Sequence, residues 1–381
     1  MTELNLMTAV IGEIICNKPN QILNGLSSED IDKLFKFAAR QDLAHLAGYV
    51  LLGKTGYSDE QKKTFKMYAD SAIYRYLIRE SAVSEIEILF ENEKIPYMPL
   101  KGAVMCDMYP EPWMRTSSDA DILIKETDFE RARDILVNKC RYTVKSREKK
   151  DVSFYRDGNM HIELHFALIK DVSIKYFTPD YLWNYSTCDG QKYIMPDEIF
   201  YAYHIEHMKH HFETGGCGMR FFVDLYILNN RVNADEEKRK QILNECNLSA
   251  FEKACRDLSE VWFDGKKHTS LTQQMQNYLL SAGVYGTIDN WALVSEIKTK
   301  SKFKSIITRL WLPYEKLCWD FPNLEGKRYL QPYYELKRFV KMIASGRWSR
   351  SVAELNANRN VNFSQKQQIK KMLEDLEIIK K

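Results

Sequence analysis

Apolar residues through 1–93 recur at the spacing of helices. Ile31, Leu34, Phe35 and Ala38 fall on one helical face behind Ser27-Ser28, a pair suited to cap the start. A longer helix is expected from Ser58, where Ser58 and Gln61 form a capping-box pattern. It carries Phe65, Tyr68, Ile73, Tyr76, Leu77, Val83, Ile86 and Leu89 toward Asn92, a packing surface without evident chemistry. The period changes at Lys94–Leu100, where prolines and short apolar alternation predict an extended segment at a sheet edge. Gly102 is expected to turn the backbone into a short helix, Ala103–Met108, ended by Pro110 and Pro112.

Asp119-Ala120-Asp121-Ile122-Leu123-Ile124 then reads as a buried strand, and Thr127 with Glu130 as a capping box for a helix burying Phe129, Ala132, Ile135 and Leu136. Val152–Arg156 and Met160–Leu168, joined by Asp157-Gly158-Asn159, read as a hairpin, because Asp-Gly supplies the positive φ of a tight turn. From about 195 the chain is expected to be helical. One helix holds His204, His207, His210 and His211, Thr214–Gly218 breaks it, and Met219–Leu228 resumes with Arg220 and Asp224. A helix over Tyr334–Ala344, a connector over Arg347–Asn362 and a charged helix over Ser364–Lys381 close the chain. The expected class is α+β, mostly helical, with a small mixed twisted sheet and flanking helices. The expected divisions are an N-terminal helical region (1–93), a sheet-bearing core (94–195), a C-terminal helical domain (196–345) and a connector with terminal helix (346–381).

Composition narrows the classes. A length of 381 residues suits two or three structural units, and 45% hydrophobic with 28% charged residues is ordinary for a soluble globular protein. A net charge of +3 carries no nucleic-acid signature, and no apolar run approaches the ~18 residues of a membrane span. The start, Met1–Asn5, lacks a signal-peptide pattern, and the eight cysteines contain no C-x-x-C pair. Reduced thiols and a cytoplasmic location are therefore expected. The 22 tyrosines and 7 tryptophans are spread at helical spacing and read as core rather than as base-stacking platforms.

Strand alternation gives the aspartates their meaning. Asp119 and Asp121 share one face while Ala120 and Ile122 turn into the core. In His161–Phe166 the polar residues fall on odd positions, so His161, Glu163 and His165 share one face, and Glu163 is a natural third carboxylate if the two strands are neighbours. Clustered carboxylates suit a divalent cation held together with substrate phosphates. Lys101, Gly102, Arg115, Ser117 and Ser118 lie just upstream and are phosphate-binding types. An isolated Asp-x-Asp is a weak signal, often only a solvated strand end; the ordered series around it changes the reading.

That series, Leu-Lys-Gly, short helix, Arg, Asp-x-Asp, helix and a strand with a carboxylate, resembles the bacterial uncharacterised nucleotidyltransferase family of the DNA polymerase β-like superfamily. A weaker likeness runs to antitoxin-type members. The resemblance implies a polymerase β-like nucleotidyltransferase core and a two-metal transfer from an NTP to a hydroxyl or phosphate acceptor. Mg²⁺ is the implied cofactor, with Mn²⁺ as substitute, and the acceptor (small molecule, RNA or protein) is left open. It assigns metal binding and catalysis to Asp119, Asp121 and Glu163. It assigns nucleotide binding to Lys101, Gly102, Arg115 and His165, with Ser117 or Ser118 replacing the hydroxyl that Gly102-Ala103 lacks where the superfamily often has Gly-Ser. His207, His211 and Asp224 match a helix with two histidines four apart and a downstream aspartate, which the resemblance implies contribute to nucleotide binding or the acceptor site.

Other readings stay open. His204, His207 and His211 also suit structural zinc or plain packing, and Arg220 with Asp224, four apart, suits a helix-surface ion pair. A non-catalytic, antitoxin-like nucleotide-binding protein is the second functional reading. A metal-dependent glycosyltransferase is the last, since residues 1–93 show no nucleotide-binding α/β domain ahead of the Asp-x-Asp.

Overall fold

Side-chain caps set the starts of the N-terminal helices. In the computed structural model, Thr2 caps α1 (Glu3–Ile14) and Ser27 caps α2 (Ser28–Arg40). After α3 (Ala44–Leu52), Ser58 and Gln61 form a complete capping box at α4 (Asp59–Asn92). The structure describes residues 1–117, 119–147, 150–157, 160–169, 174–231, 234–280, 287–299, 311–314, 317–318, 321–344 and 363–379. Ser118, the Gly158-Asn159 turn and the Arg347–Asn362 connector fall outside these residues.

The strands are β1 (Tyr97–Pro99), β2 (Asp119–Ile124), β3 (Thr143–Arg147), β4 (Asp151–Arg156), β5 (Met160–His165), β6 (Thr187–Asp189) and β7 (Lys192–Ile194). They form one mixed sheet in the order β3-β4-β5-β2-β1-β7-β6. β2 runs parallel to β5 and antiparallel to β1, and β4 pairs antiparallel with β5 as the hairpin signal predicts. One sheet face carries Tyr97, Ala120, Ile122, Ile124, Ile162, Leu164, Val152 and Phe154. It packs on Ala82, Ile86 and Phe90 of α4 and on the helical segment that buries Phe129, Ala132, Ile135 and Leu136.

Two local expectations are corrected. β1 is not an edge strand: it lies between β2 and β7, because its prolines flank the positions that donate. The Tyr97 amide reaches the Gln191 carbonyl (2.9 Å) and the Leu100 amide reaches the Asp121 carbonyl (3.0 Å). The Thr127–Glu130 capping box does not form, since Glu126–Asp128 is a 3₁₀ turn and the helix after it has no side-chain cap.

Further helices follow in order: α5 (Gly102–Met105), α6 (Phe129–Asp134), α7 (Pro179–Tyr185), α8 (Asp197–Glu213), α9 (Met219–Arg231), α10 (Glu236–Glu245), α11 (Ser249–Asp264), α12 (Ser270–Leu280) and α13 (Ile288–Thr299). The helix expected over Ala103–Met108 is α5 followed by a 3₁₀ turn, Cys106–Met108. The chain packs as two units, one of Met1–His207 with Met219–His268 and one of Met208–Gly218 with Thr269–Lys381. The first contains the sheet. In the second, the helix Phe363–Asp375 packs on α12 and α13, with Lys366 paired to Glu296 at 2.6 Å. No helix among the described residues is long and apolar enough to cross a membrane.

Candidate functional site

The polar face of the sheet is assembled by register. Parallel pairing sets Asp119 opposite His161 and Asp121 opposite Glu163, and the hairpin adds Ser153 opposite Glu163 and Asp151 opposite His165. Residues paired in this way project on the same side of a sheet. Potential ligand atoms of Asp119, His161 and Glu163 lie within 4.8 Å of one another, and so do those of Asp121, Glu163 and His165. Glu163 belongs to both groups.

Asp121 is held through one oxygen. Lys101 Nζ donates to Oδ1 at 2.9 Å and His165 Nε2 donates to the same atom at 2.7 Å, while no described residue donates to Oδ2. Lys101 adopts φ 44°, the left-handed region that a side-chain-bearing residue enters only under strain. The strained residue of the turn is thus Lys101, one before the glycine. Burial opposes charge on Asp121, but Lys101 and His165 overcome it and hold the carboxyl well below the usual range. Burial likewise opposes the His165 imidazolium, yet hydrogen bonds to Asp121 and Glu163 hold its pKa above the ordinary value. The bond from His165 also lowers Glu163. Lys101, which burial would lower, is held high by Tyr203 and Asp121.

Three buried polar atoms around these carboxylates have no hydrogen-bond partner among the described residues: His161 Nε2, His165 Nδ1 and the Tyr203 hydroxyl. Tyr203 comes from α8, is 2% exposed, and packs against Phe177 and His207 at 6.2 and 6.3 Å between ring centres. Burial pushes its hydroxyl up to about 12, with Lys101, Asp121, Glu163 and Asp151 the charged groups around it. Three carboxylates on one face, one oxygen of Asp121 fixed and the other left for ligation, fit a hard divalent cation. The orphaned nitrogens and hydroxyl fit further bonds to a bound ligand.

Gly102 lies close against Ser117, where a Cβ would be tight and the serine would have to yield slightly. A Cβ there would stand 3.1 Å from Ser117 Oγ and 3.5 Å from Arg115 Nη1. Ser117 Oγ in turn donates to Asp119 Oδ1 at 2.8 Å. Arg115 is turned elsewhere. Its Nε and Nη2 grip Asp224 at 3.0 Å each, and Nη1 donates to the Thr116 carbonyl at 2.6 Å. The Tyr109 hydroxyl also donates to Asp224, at 2.6 Å, so this buried carboxylate is held low against burial by Arg115. The expected Arg220–Asp224 surface pair is therefore corrected. Both residues are buried, and Arg220 bonds Asp42 at 2.6 Å instead.

The structure thus brings Asp119, Asp121, Glu163, His165, Lys101 and Ser117 together, with Gly102 against Ser117. Arg115 and Asp224 form their own buried pair. His204 donates to the Phe221 carbonyl (3.2 Å), His207 touches Tyr203 and Phe221, and His211 belongs to the second unit, its ring 6.0 Å from His210. Asp151, Ser153 and Tyr203 were not expected near the site. The first two follow once the hairpin register is counted; Tyr203 has no sequence signal, since only the packing of α8 brings it there.

No curated protein and no solved structure matches the chain. A family model does, over residues 27–264, a span that includes β1 to β7, α4, α8 and α9 and so every member of the carboxylate group. The chain belongs to the uncharacterised nucleotidyltransferase family.

Proposed function

We propose that this nucleotidyltransferase moves a nucleotidyl group from an NTP to a hydroxyl or phosphate acceptor, in a polymerase β-like active site built on Asp119, Asp121 and Glu163. The register that places Asp121 opposite Glu163 and next to Asp119 carries the reading. These three residues would hold divalent cations, Mg²⁺ or Mn²⁺, which when bound supply charge neutralisation at the transferred phosphoryl group and activation of the acceptor oxygen. His165 and Lys101 fix Asp121 so that Oδ2 is presented without rearrangement. Lys101 and the backbone around Gly102 would meet the charge of the triphosphate, and Ser117 orients Asp119. Arg115 and Asp224 act as positioning residues, holding the loop that leads into β2. Transfer of this kind rests on positioning and charge stabilisation, which a group of clustered carboxylates suits. Eight free thiols fit a cytoplasmic location.

The test uses the half-exposed carboxylates, whose loss leaves the Lys101–Asp121 pair intact. Asp119→Asn and Glu163→Gln are expected to reduce Mg²⁺-dependent pyrophosphate release from an NTP mixture to background, at an unchanged melting temperature. Turnover retained in both variants sinks the assignment.

A further inference from the structure

We propose that His161 Nε2 is a ligand to a divalent cation held with Asp119 and Glu163, and that this nitrogen makes the position select a first-row transition cation over Mg²⁺. Resting on the transfer reading above, this divides its two cation positions by their chemistry. Ligand atoms of Asp119, His161 and Glu163 lie within 4.8 Å of one another, because parallel pairing sets Asp119 beside His161 on the face that carries Glu163. His161 Nε2 is buried without a hydrogen-bond partner among the described residues, and stands 3.7 Å from Glu163 Oε1. That gap is too wide for a hydrogen bond, but two bonds of about 2.0–2.2 Å to a shared cation span it.

The other position differs. There His165 Nε2 is committed to Asp121 Oδ1 at 2.7 Å and lies 3.4 Å from Glu163 Oε2, so the oxygens of Asp121 and Glu163 remain for a cation. Glu163 thus turns one oxygen to each position, Oε1 toward His161 and Oε2 toward His165. A position made of oxygens suits Mg²⁺, whereas imidazole, a softer donor, binds first-row transition cations more readily. Ser117 donates to Asp119 Oδ1 at 2.8 Å, which orients that carboxylate beside His161. A separate observation points to a ligand here. The Tyr203 hydroxyl, on a residue 2% exposed, faces Asp121 and Glu163 from α8 and has no hydrogen-bond partner among the described residues. The water of a bound cation, or a phosphate oxygen beside it, gives that hydroxyl the acceptor it lacks.

The experiment titrates Mn²⁺, and separately Mg²⁺, into the metal-free full chain without nucleotide, read by calorimetry and by the nitrogen coupling of bound Mn²⁺ in pulsed EPR. Wild type is expected to bind Mn²⁺ more tightly than Mg²⁺ and to show one coupled imidazole nitrogen. His161→Gln, a change at a partly exposed side chain whose folding is checked by its melting temperature, is expected to lose that coupling. It should also weaken Mn²⁺ binding about tenfold or more while leaving Mg²⁺ binding as it was. His161→Asp, which returns an oxygen ligand, is expected to bind a cation without the coupling and without the preference for Mn²⁺. Wild type lacking a coupled nitrogen, or a coupling that persists in His161→Gln, overturns the assignment. Pyrophosphate release from an NTP mixture is then read on the same samples. Mn²⁺ bound through nitrogen without release sinks the transfer reading alone, and Mg²⁺-dependent release without a nitrogen coupling sinks the His161 ligand alone.

Discussion

Asp121 shows how a single residue combines anchoring with availability: two donors converge on Oδ1, leaving Oδ2 for a cation shared with the neighbouring carboxylates. His45 is the contrasting case, a buried histidine kept neutral. It is 3% exposed, donates to the Met114 carbonyl at 2.8 Å, and burial pushes its pKa from the ordinary 6.5 down to about 4. Between those values the unfolded chain binds more protons than the native one. Stability is therefore full above the unfolded value and falls as pH drops through this window, by about 2 kcal/mol at pH 5. His45→Gln, which keeps a donor but does not titrate, should flatten that dependence. Urea midpoints at pH 7 and 5 check it; an equal decline in variant and wild type refutes the assignment.

At the scale of elements, the long helix α4 serves both the apolar face of the sheet and the N-terminal helices. Its approach to α3 is set by Gly48, where a Cβ would stand 2.5 Å from the Phe65 carbonyl oxygen. Backbone cannot yield as a flexible side chain can. Gly48→Ala gains up to about 1 kcal/mol of helix propensity but meets a clash that typically costs about 1–3 kcal/mol. The clash should win, with a net loss of stability in chemical denaturation. A stabilised variant would show that α3 and α4 move apart freely.

For the whole molecule, the carboxylate group links ligand binding to folding. A cation that binds the native site and not the unfolded chain stabilises by about 2.7 kcal/mol at a hundred times its Kd. Mn²⁺ or Mg²⁺ should therefore raise the melting temperature of wild type in a concentration-dependent way. The shift should vanish in a variant carrying both Asp119→Asn and Glu163→Gln. An equal shift in that variant would place the stabilising cation elsewhere.

Much of the candidate site was legible because side-chain alternation is a local property. Parity alone put Asp119 with Asp121, and His161 with Glu163 and His165, each set opposite apolar residues that had to be buried. Caps at Ser27 and Ser58 were legible for the same reason, since donor and acceptor lie three residues apart. β3, with every residue exposed, and the three-residue strands β6 and β7 showed no alternation to read, and β1 was misplaced because proline's missing donor proved harmless at its flanks. The tertiary structure alone decided the parallel register that sets Asp121 against Glu163, the capture of Arg115 by Asp224, and the arrival of Tyr203 from α8. Those contacts join residues far apart in the chain, and their partners are chosen by packing and charge, which no local pattern encodes.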